Sequence, residues 1–98
     1  MIRPEEPEGA GGWFSAGTVV ITAGARRALT DEDVRKALVS HLICHWGEVC
    51  AEDAAANLRA VANGDRILSV YRSAAGVKFY VITEADRQHT VVLLPEEY

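Results

Sequence analysis

Hydrophobic and polar residues alternate along the last third of the chain, from Arg66 to Tyr98. Three runs rich in Val, Ile, Leu, Tyr, Phe and Thr are separated there by the short connections SAAG and EADRQH. Runs joined by such short turns pair antiparallel, so the pattern predicts a β-meander of Arg66–Arg72, Val77–Thr83 and Thr90–Leu94. Both alternating sets contain large apolar side chains, which indicates one buried sheet face and one partly covered face.

The segment before the meander predicts a fourth strand and then helices. TVVIT at Thr18–Thr22 is typical of a short edge strand, and Thr22 can cap a helical turn that reaches about Leu29. The predicted fold is α+β, with helices packed on one face of a three- to four-stranded antiparallel sheet. Residues 1–12, rich in Pro, Glu and Gly, predict a flexible tail before a single domain at 13–98.

The strongest helix signal runs from Asp31 to about His45. Thr30, with Asp33 three positions later, forms a variant of the capping box, and carboxylates in the first turn complement the helix dipole. We expect the stripe with the larger apolar side chains to face the core, namely Leu38, Val39, Leu42, Ile43 and Trp46. The opposite stripe would then face water and suggests a homodimer interface; it contains Val34, Ala37, His41, Cys44 and His45.

A second helix is predicted over Cys50–Asn63. It begins near Glu52–Asp53, and the Asn63-Gly64 pair provides a cap at its C-terminus, because Gly tolerates the left-handed conformation. The narrow apolar face of this helix comprises Ala55, Leu58, Val61 and Ala62.

Composition and charge exclude only some classes of function. The 98 residues are 49% hydrophobic and 24% charged, with a formal net charge of −4 and two cysteines. A net negative chain is a poor binder of nucleic-acid backbone, so we expect no direct DNA binding and favour a protein partner. No apolar run is long enough to span a membrane, no phosphate loop follows a strand, and two cysteines make no disulfide scaffold. We expect a cytoplasmic protein without a cofactor.

Three motifs in the meander carry a resemblance. RILSVY at Arg66–Tyr71, ITEADR at Ile82–Arg87 and LLPEEY at Leu93–Tyr98 resemble a family of small proteins encoded on plasmids and prophages of Gram-negative bacteria. The resemblance extends over about residues 13–98. It implies a mobile genetic element as the context and no particular reaction.

A middle motif of the same family is matched less closely. Trp46-Gly47 agrees with it, as do His41, Glu52-Asp53 and Asn57. Ser40, however, stands where the family has Arg, and Cys44-His45 stands where it has Gly-Asp. Any chemistry that the family performs with those residues is therefore not implied for this chain.

Four residues around the end of the first long helix suggest metal ligation, namely His41, Cys44, His45 and Cys50. Positions i, i+3 and i+4 share a helix face, and a loop residue could complete a set of two cysteines and two histidines. The compact spacing differs from the paired knuckles of a usual zinc site. We therefore expect no metal here. The simpler interpretation is that these four side chains bind no ligand.

A small metal-independent ribonuclease of the toxin type is the alternative function. Such an enzyme needs a general base, a general acid and a cation for the phosphate. His41 or His89 could move the proton, and Arg87 could hold the phosphate, with Glu84 as a further candidate. The same residues read equally well as a polar turn in which Asp86 caps locally and Arg87 pins the corner.

The interpretation we favour is a non-enzymatic protein-binding module, an inhibitor of a host defence system such as CRISPR–Cas or restriction. No nucleophile and base occur at a diagnostic spacing, and the charge balance is acidic. Carboxylates of such a module would meet Lys and Arg on the partner. The residues predicted to bind the partner are Glu84, Asp86, Glu96 and Glu97.

Overall fold

A computed structural model describes residues 13–98, so the predicted flexible tail lies outside the described residues. The α+β class is confirmed, with strands and helices arranged along the chain much as the pattern predicts. The elements in order are β1 (Thr18–Ile21), α1 (Ala23–Ala28), α2 (Asp31–Leu42), α3 (Ala51–Asn63), β2 (Ile67–Arg72), β3 (Lys78–Thr83), β4 (His89–Leu93) and a 3-10 turn (Pro95–Glu97).

The predicted meander is confirmed, with each strand starting and ending within one residue of its expected bounds. Strands β2, β3 and β4 pair antiparallel in that order. Strand β1 joins the edge beside β4, as expected, giving the order β1-β4-β3-β2. It runs parallel to β4, however, so the sheet is mixed. Three helices and two strands intervene between β1 and β4, and a connection of that length permits parallel pairing.

Both N-terminal helix caps that the sequence predicts are present. Thr22 begins α1 by accepting a hydrogen bond from the backbone N–H of Ala25. Thr30 begins α2 by accepting from the N–H of Asp33, whose carboxylate in turn accepts from the N–H of Thr30. This reciprocal pair satisfies two donors that a helix start would otherwise leave unbonded, and it positions α2 against the sheet.

The buried face of α2 differs from the prediction. The helix ends at Leu42, and Cys44 adopts a left-handed conformation two residues later. Val39 and Ile43 are 51% and 40% exposed. The buried residues of α2 are Val34, Ala37, Leu38, His41 and Leu42.

This rotation of α2 has a physical reason. The prediction ranked the two stripes by side-chain size and so placed the polar His41 outside, but partners on the sheet allow its imidazole to be buried (see below). Val34 and Ala37 therefore face the core, so the homodimer interface predicted on that stripe is wrong for these two residues. Trp46 is buried as predicted, although it lies in the loop after the helix.

Helix α3 has the predicted bounds but a different buried face. Gly64 caps its C-terminus in the left-handed conformation, as expected. Of the predicted apolar stripe only Val61 is partly buried. Leu58 is 56% exposed, and Ala55 and Ala62 are exposed as well. Asn57 and Ala60 point inward instead. The side-chain amide of Asn57 bonds to both backbone groups of Leu68, which favours burial of this polar residue over an apolar neighbour.

The outer edge of β2 is closed by these contacts. Besides the two bonds with Asn57, the backbone of Val70 bonds to Trp46 O at 3.0 Å and to Glu48 N at 2.7 Å. Gly47 between them approaches so closely that a Cβ atom would overlap the Val70 carbonyl, and its positive φ favours Gly. The outward backbone groups of Leu68 and Val70, which a sheet edge normally leaves unbonded, are thus occupied.

The helices pack on one face of the sheet, as predicted. One core cluster joins α1 and α2 to the sheet, and a second joins α3 and the loop residue Trp46 to Ile67. On the opposite sheet face Val70, Ile82 and Leu93 are buried, and on β3 the ring of Tyr80 meets that of Tyr98 edge-on. Among the helices of residues 13–98, none is long and apolar enough to cross a membrane.

The face of α2 that packs on the sheet can be tested by two truncations. Leu38→Ala should lower the free energy of unfolding by about 2–5 kcal/mol, because it leaves a cavity in the core. Val39→Ala, on the exposed side of the same turn, should change it by less than about 0.5 kcal/mol. Urea denaturation of both variants measures the difference, and equal losses would contradict the assigned face.

Candidate functional site

His41 lies at the centre of the core, where it has no exposed surface. Its Nδ1 is 2.6 Å from Ser69 Oγ on β2, and its Nε2 is 2.9 Å from Thr83 Oγ1 on β3. Thr83 Oγ1 lies 2.7 Å from Thr90 Oγ1 on β4, and Thr90 donates to the carbonyl oxygen of Ala16 at 2.7 Å. We call these five residues the His41 chain. It connects α2 to three neighbouring strands and to the segment before β1.

The end of the His41 chain determines the direction of every hydrogen bond in it. The carbonyl oxygen of Ala16 can only accept, so the Thr90 hydroxyl donates there and accepts from Thr83. Having donated its one proton to Thr90, the Thr83 hydroxyl accepts from Nε2–H of His41. Because burial keeps the ring uncharged, Nδ1 is then the unprotonated nitrogen and accepts from Ser69. The imidazole is therefore the neutral Nε2–H tautomer, with both nitrogens occupied.

Aromatic rings enclose the same imidazole. Phe14 meets it edge-on at 5.3 Å between ring centroids, and Trp46 does so at 5.9 Å. Burial, with a smaller contribution from the positive charge of Arg87, lowers the pKa of His41 to about 3. A histidine that is neutral, hydrogen-bonded at both ring nitrogens and shielded from solvent stabilises the fold, and it offers no nitrogen to a substrate.

Arg87 pins the corner between β3 and β4. Its guanidinium donates to the backbone oxygens of Ala60, Asp65 and Glu84, at 2.9, 2.6 and 3.1 Å. The same group lies 5.5 Å from the centroid of the Phe14 ring. These contacts hold Arg87 in a left-handed backbone conformation, with φ of 59°, that a residue other than Gly rarely adopts. The guanidinium is occupied by carbonyls, so it is a structural group at the end of α3.

Of the residues named for the ribonuclease alternative, His41, His89 and Arg87 do not form one site. His41 projects from α2 into the sheet face that the helices cover. His89 begins β4 on the exposed side, in the alternation phase of Val91 and Leu93, and so belongs to the opposite face of the sheet. Arg87 is bound to backbone carbonyls at the corner. The structure thus places no acid, base and cation around a common solvent-accessible point within this set.

The four carboxylates predicted to bind a partner lie at the two ends of β4. Glu84 and Asp86 belong to the β3–β4 turn, where Glu84 lies 3.7 Å from Arg66 and Asp86 accepts the N–H of Gln88. Glu96 follows β4 at the other end of the sheet and is exposed. Those three side chains stand at the surface, in two separate groups.

Glu97, the fourth carboxylate, joins the start of α1 to the end of β4. It accepts the Thr22 hydroxyl at 2.6 Å, the N–H of Gly24 at 3.1 Å and the N–H of Leu94 at 2.9 Å. The hydrogen bond from Thr22, followed by that from Leu94, holds the pKa of Glu97 below its usual value. Glu97 therefore has a structural role at the N-terminus of α1.

The cysteines have separate surroundings. Cys44 is half-buried, and burial raises the pKa of its thiol. Cys50 is exposed and caps α3, because its sulfur accepts the N–H of Asp53 at 3.4 Å. Across residues 13–98, no three or more His, Cys, Asp or Glu side chains are grouped so that they could hold a metal ion.

The hydroxyls of the His41 chain are what the sequence reasoning missed. Ser69, Thr83 and Thr90 belong to the predicted meander, where the sequence analysis assigns them no partner in the core. The alternation along the strands contained a signal for these hydroxyls. All three residues alternate in step with inward-facing apolar residues such as Ile67 and Val81. Three inward hydroxyls on neighbouring strands require a polar partner in the core, and His41 is the polar residue on the facing helix.

Comparison with known proteins adds no relative. No protein-family model, no curated protein and no solved structure matches the chain.

The buried imidazole predicts a loss of stability in mild acid. In the unfolded chain His41 takes up a proton near its usual pKa of 6.5, whereas in the folded protein it does so only near 3. The unfolded state therefore binds more protons between these values, and stability falls as the pH falls through that window. From about pH 7.5 to 5.5 the free energy of unfolding should drop by about 1.4 kcal/mol from this group.

Urea denaturation at both pH values, on wild type and two variants, measures the contribution of His41. His41→Gln should lower stability and remove most of this pH dependence. His89→Gln is the matched control and should retain the wild-type slope. An unchanged slope in a folded His41→Gln protein would show that another group is responsible.

The hydrogen bonds of Glu97 predict a difference between two adjacent carboxylates. Glu97→Gln should lower the midpoint of thermal unfolding, because an amide nitrogen replaces one of the oxygens that accept backbone N–H groups. Glu96→Gln should leave the midpoint unchanged. Circular dichroism melts of the two variants decide the matter, and equal midpoints would contradict the structural role of Glu97.

Proposed function

We propose that the chain is a non-enzymatic protein-binding module of a mobile genetic element, acting as an inhibitor of a host defence system of the CRISPR–Cas or restriction type. One observation carries the choice of binding over turnover. His41, one of the two histidines that the sequence offers for proton transfer, is wholly enclosed and has both nitrogens bonded to hydroxyls. A residue so held supports a rigid module that presents a surface to its partner.

Exposed carboxylates supply the chemistry of recognition in this proposal. Glu84 and Asp86 at one end of β4, and Glu96 at the other, can meet Lys and Arg on a protein that handles nucleic acid. Exposed charge pairs of this kind accelerate association and weaken as salt screens them. Glu97 is excluded from this set, because its carboxylate already accepts three hydrogen bonds within the chain.

The context of a defence conflict comes from the resemblance of the ITEADR and LLPEEY motifs to plasmid and prophage proteins. Within those motifs, the structure gives physical roles to Arg87 and Glu97, which hold the two ends of the sheet. This part of the proposal therefore rests on the motifs, whereas binding without turnover rests on the geometry. The two parts need separate tests.

Incubation with total RNA tests turnover directly. Wild-type protein should leave the RNA intact, because His41 is enclosed in the core and the guanidinium of Arg87 is occupied by backbone carbonyls. RNA cleavage that co-purifies with wild type and disappears in His89→Ala would favour the ribonuclease. His89 is the suitable variant since it is exposed, whereas changes at His41 or Arg87 would also disturb the fold.

Plaque counts test inhibition of defence. Phage titres should rise on cells that carry an active CRISPR–Cas or restriction system when the chain is expressed. The combined reversal Glu84→Lys and Asp86→Lys, or the reversal Glu96→Lys, should reduce that rise while circular dichroism shows an intact fold. Titres that stay unchanged on both kinds of host would contradict the inhibitor.

A further inference from the structure

The outer edge of β1 has backbone groups that point away from the sheet. On its inner side, Thr18 N–H donates to Gln88 O at 2.9 Å and Thr22 N–H donates to Val92 O at 3.1 Å. Alternate residues of a paired strand bond to the same neighbour, so Val19 and Ile21 turn their N–H and C=O groups outward. Among residues 13–98 no backbone group bonds to them from that side.

The two edges of the sheet are therefore different. The edge at β2 is occupied by Asn57, Trp46 and Glu48, as described above. The edge at β1 is open over four residues, and none of them is charged, glycine or proline. Proteins usually protect such an edge, because it is a template for pairing with another strand.

A groove of about 360 Å³ lies beside this open edge, between β1 and α2. Its floor is apolar and consists of side chains from the strand, Val19 and Ile21, and from the helix, Val34 and Leu38. Asp31 and Arg35, one helical turn apart, form the polar rim. Arg35 pairs with Glu32, whereas Asp31 has no ion pair with any residue from 13 to 98.

We propose that this groove binds an extended segment of a partner protein, which adds to the sheet as a fifth strand beside β1. This inference rests on the proposed protein-binding function and specifies its surface. An antiparallel segment would exchange hydrogen bonds with Val19 and with Ile21 through two of its residues, two positions apart. The side chains of those two residues project to the helix side and enter the groove, so both are apolar. A neighbouring Lys or Arg in the segment meets Asp31.

A second copy of this chain fits the groove poorly. Its own β1 could form the backbone hydrogen bonds, but the side chains that would have to enter the groove are Val19 and Ile21 of that copy. Those side chains already pack against their own core. The strand TVVI also has no Lys or Arg for Asp31, and two chains of net charge −4 repel one another. The chemistry of the groove thus favours a different protein with a free apolar segment.

The experiment begins with a probe of known composition, a phage-displayed library of random peptides selected on the full chain. Selected peptides should share apolar residues at alternate positions and a Lys or Arg beside them. One synthetic peptide of the consensus is then titrated by calorimetry. Amide hydrogen exchange by NMR should slow at Val19 and Ile21 on binding. Peptides without the alternation, or no selected peptide at all, would overturn the proposal.

Matched variants locate the binding. Val19→Pro removes an outward N–H and leaves the bonds to β4 intact, so it should weaken binding by about tenfold or more. Leu58→Ala, on the exposed side of α3, should bind as wild type does. Asp31→Asn should weaken binding and reduce its salt dependence. If Val19→Pro does not fold, a peptide N-methylated at the residue opposite Val19 provides the same test, and full affinity in either case contradicts the assignment.

Three further outcomes separate this inference from the proposed function. Sedimentation that shows a dimer, with Val19 and Ile21 protected in the absence of peptide, would assign the edge to a second copy and overturn the partner segment. RNA cleavage by wild type would overturn the proposed function. Inhibition of defence with full activity in Val19→Pro would leave the function standing and refute this surface.

Discussion

Five parts of the fold are joined by the hydrogen bonds that begin at one buried imidazole. The His41 chain connects α2 to β2, β3 and β4, and its final bond reaches Ala16, 74 residues from Thr90. Apolar packing alone tolerates a small rotation of a helix on a sheet, whereas a bond at each imidazole nitrogen does not. The His41 chain therefore determines which face of α2 is buried. It thereby also determines which side of the helix borders the groove at β1.

The unequal edges of the sheet follow from the same arrangement. The loop after α2 brings Trp46 to the edge of β2, and α3 brings Asn57 to the same edge, which is thereby sealed. No such segment within the described residues returns to β1. The molecule thus has one side completed by its own chain and one side on which a strand can still be added.

The bounds of the helices and strands could be predicted from the sequence far better than which face of each helix is buried. Alternation and short turns located the meander, Thr30 and Asp33 located the start of α2, and Gly64 located the end of α3. The predicted core faces of both long helices were wrong in part for one reason, that His41 and Asn57 are polar residues with partners on distant strands. Hydrophobic periodicity carries no information about such partners. The parallel pairing of β1 was likewise set by a long connection and not by a local signal.

The position of β4 has a consequence for synthesis of the protein. This strand lies between β1 and β3, although it is the last of the four to be made. While the ribosome is still translating the turn at Glu84, β1 has no neighbour to pair with, and the hydroxyl of Thr83 lacks its acceptor. The helices can form early, but the sheet must close afterwards, around its final strand. Until then the apolar run of β1 is an exposed segment that a chaperone could hold.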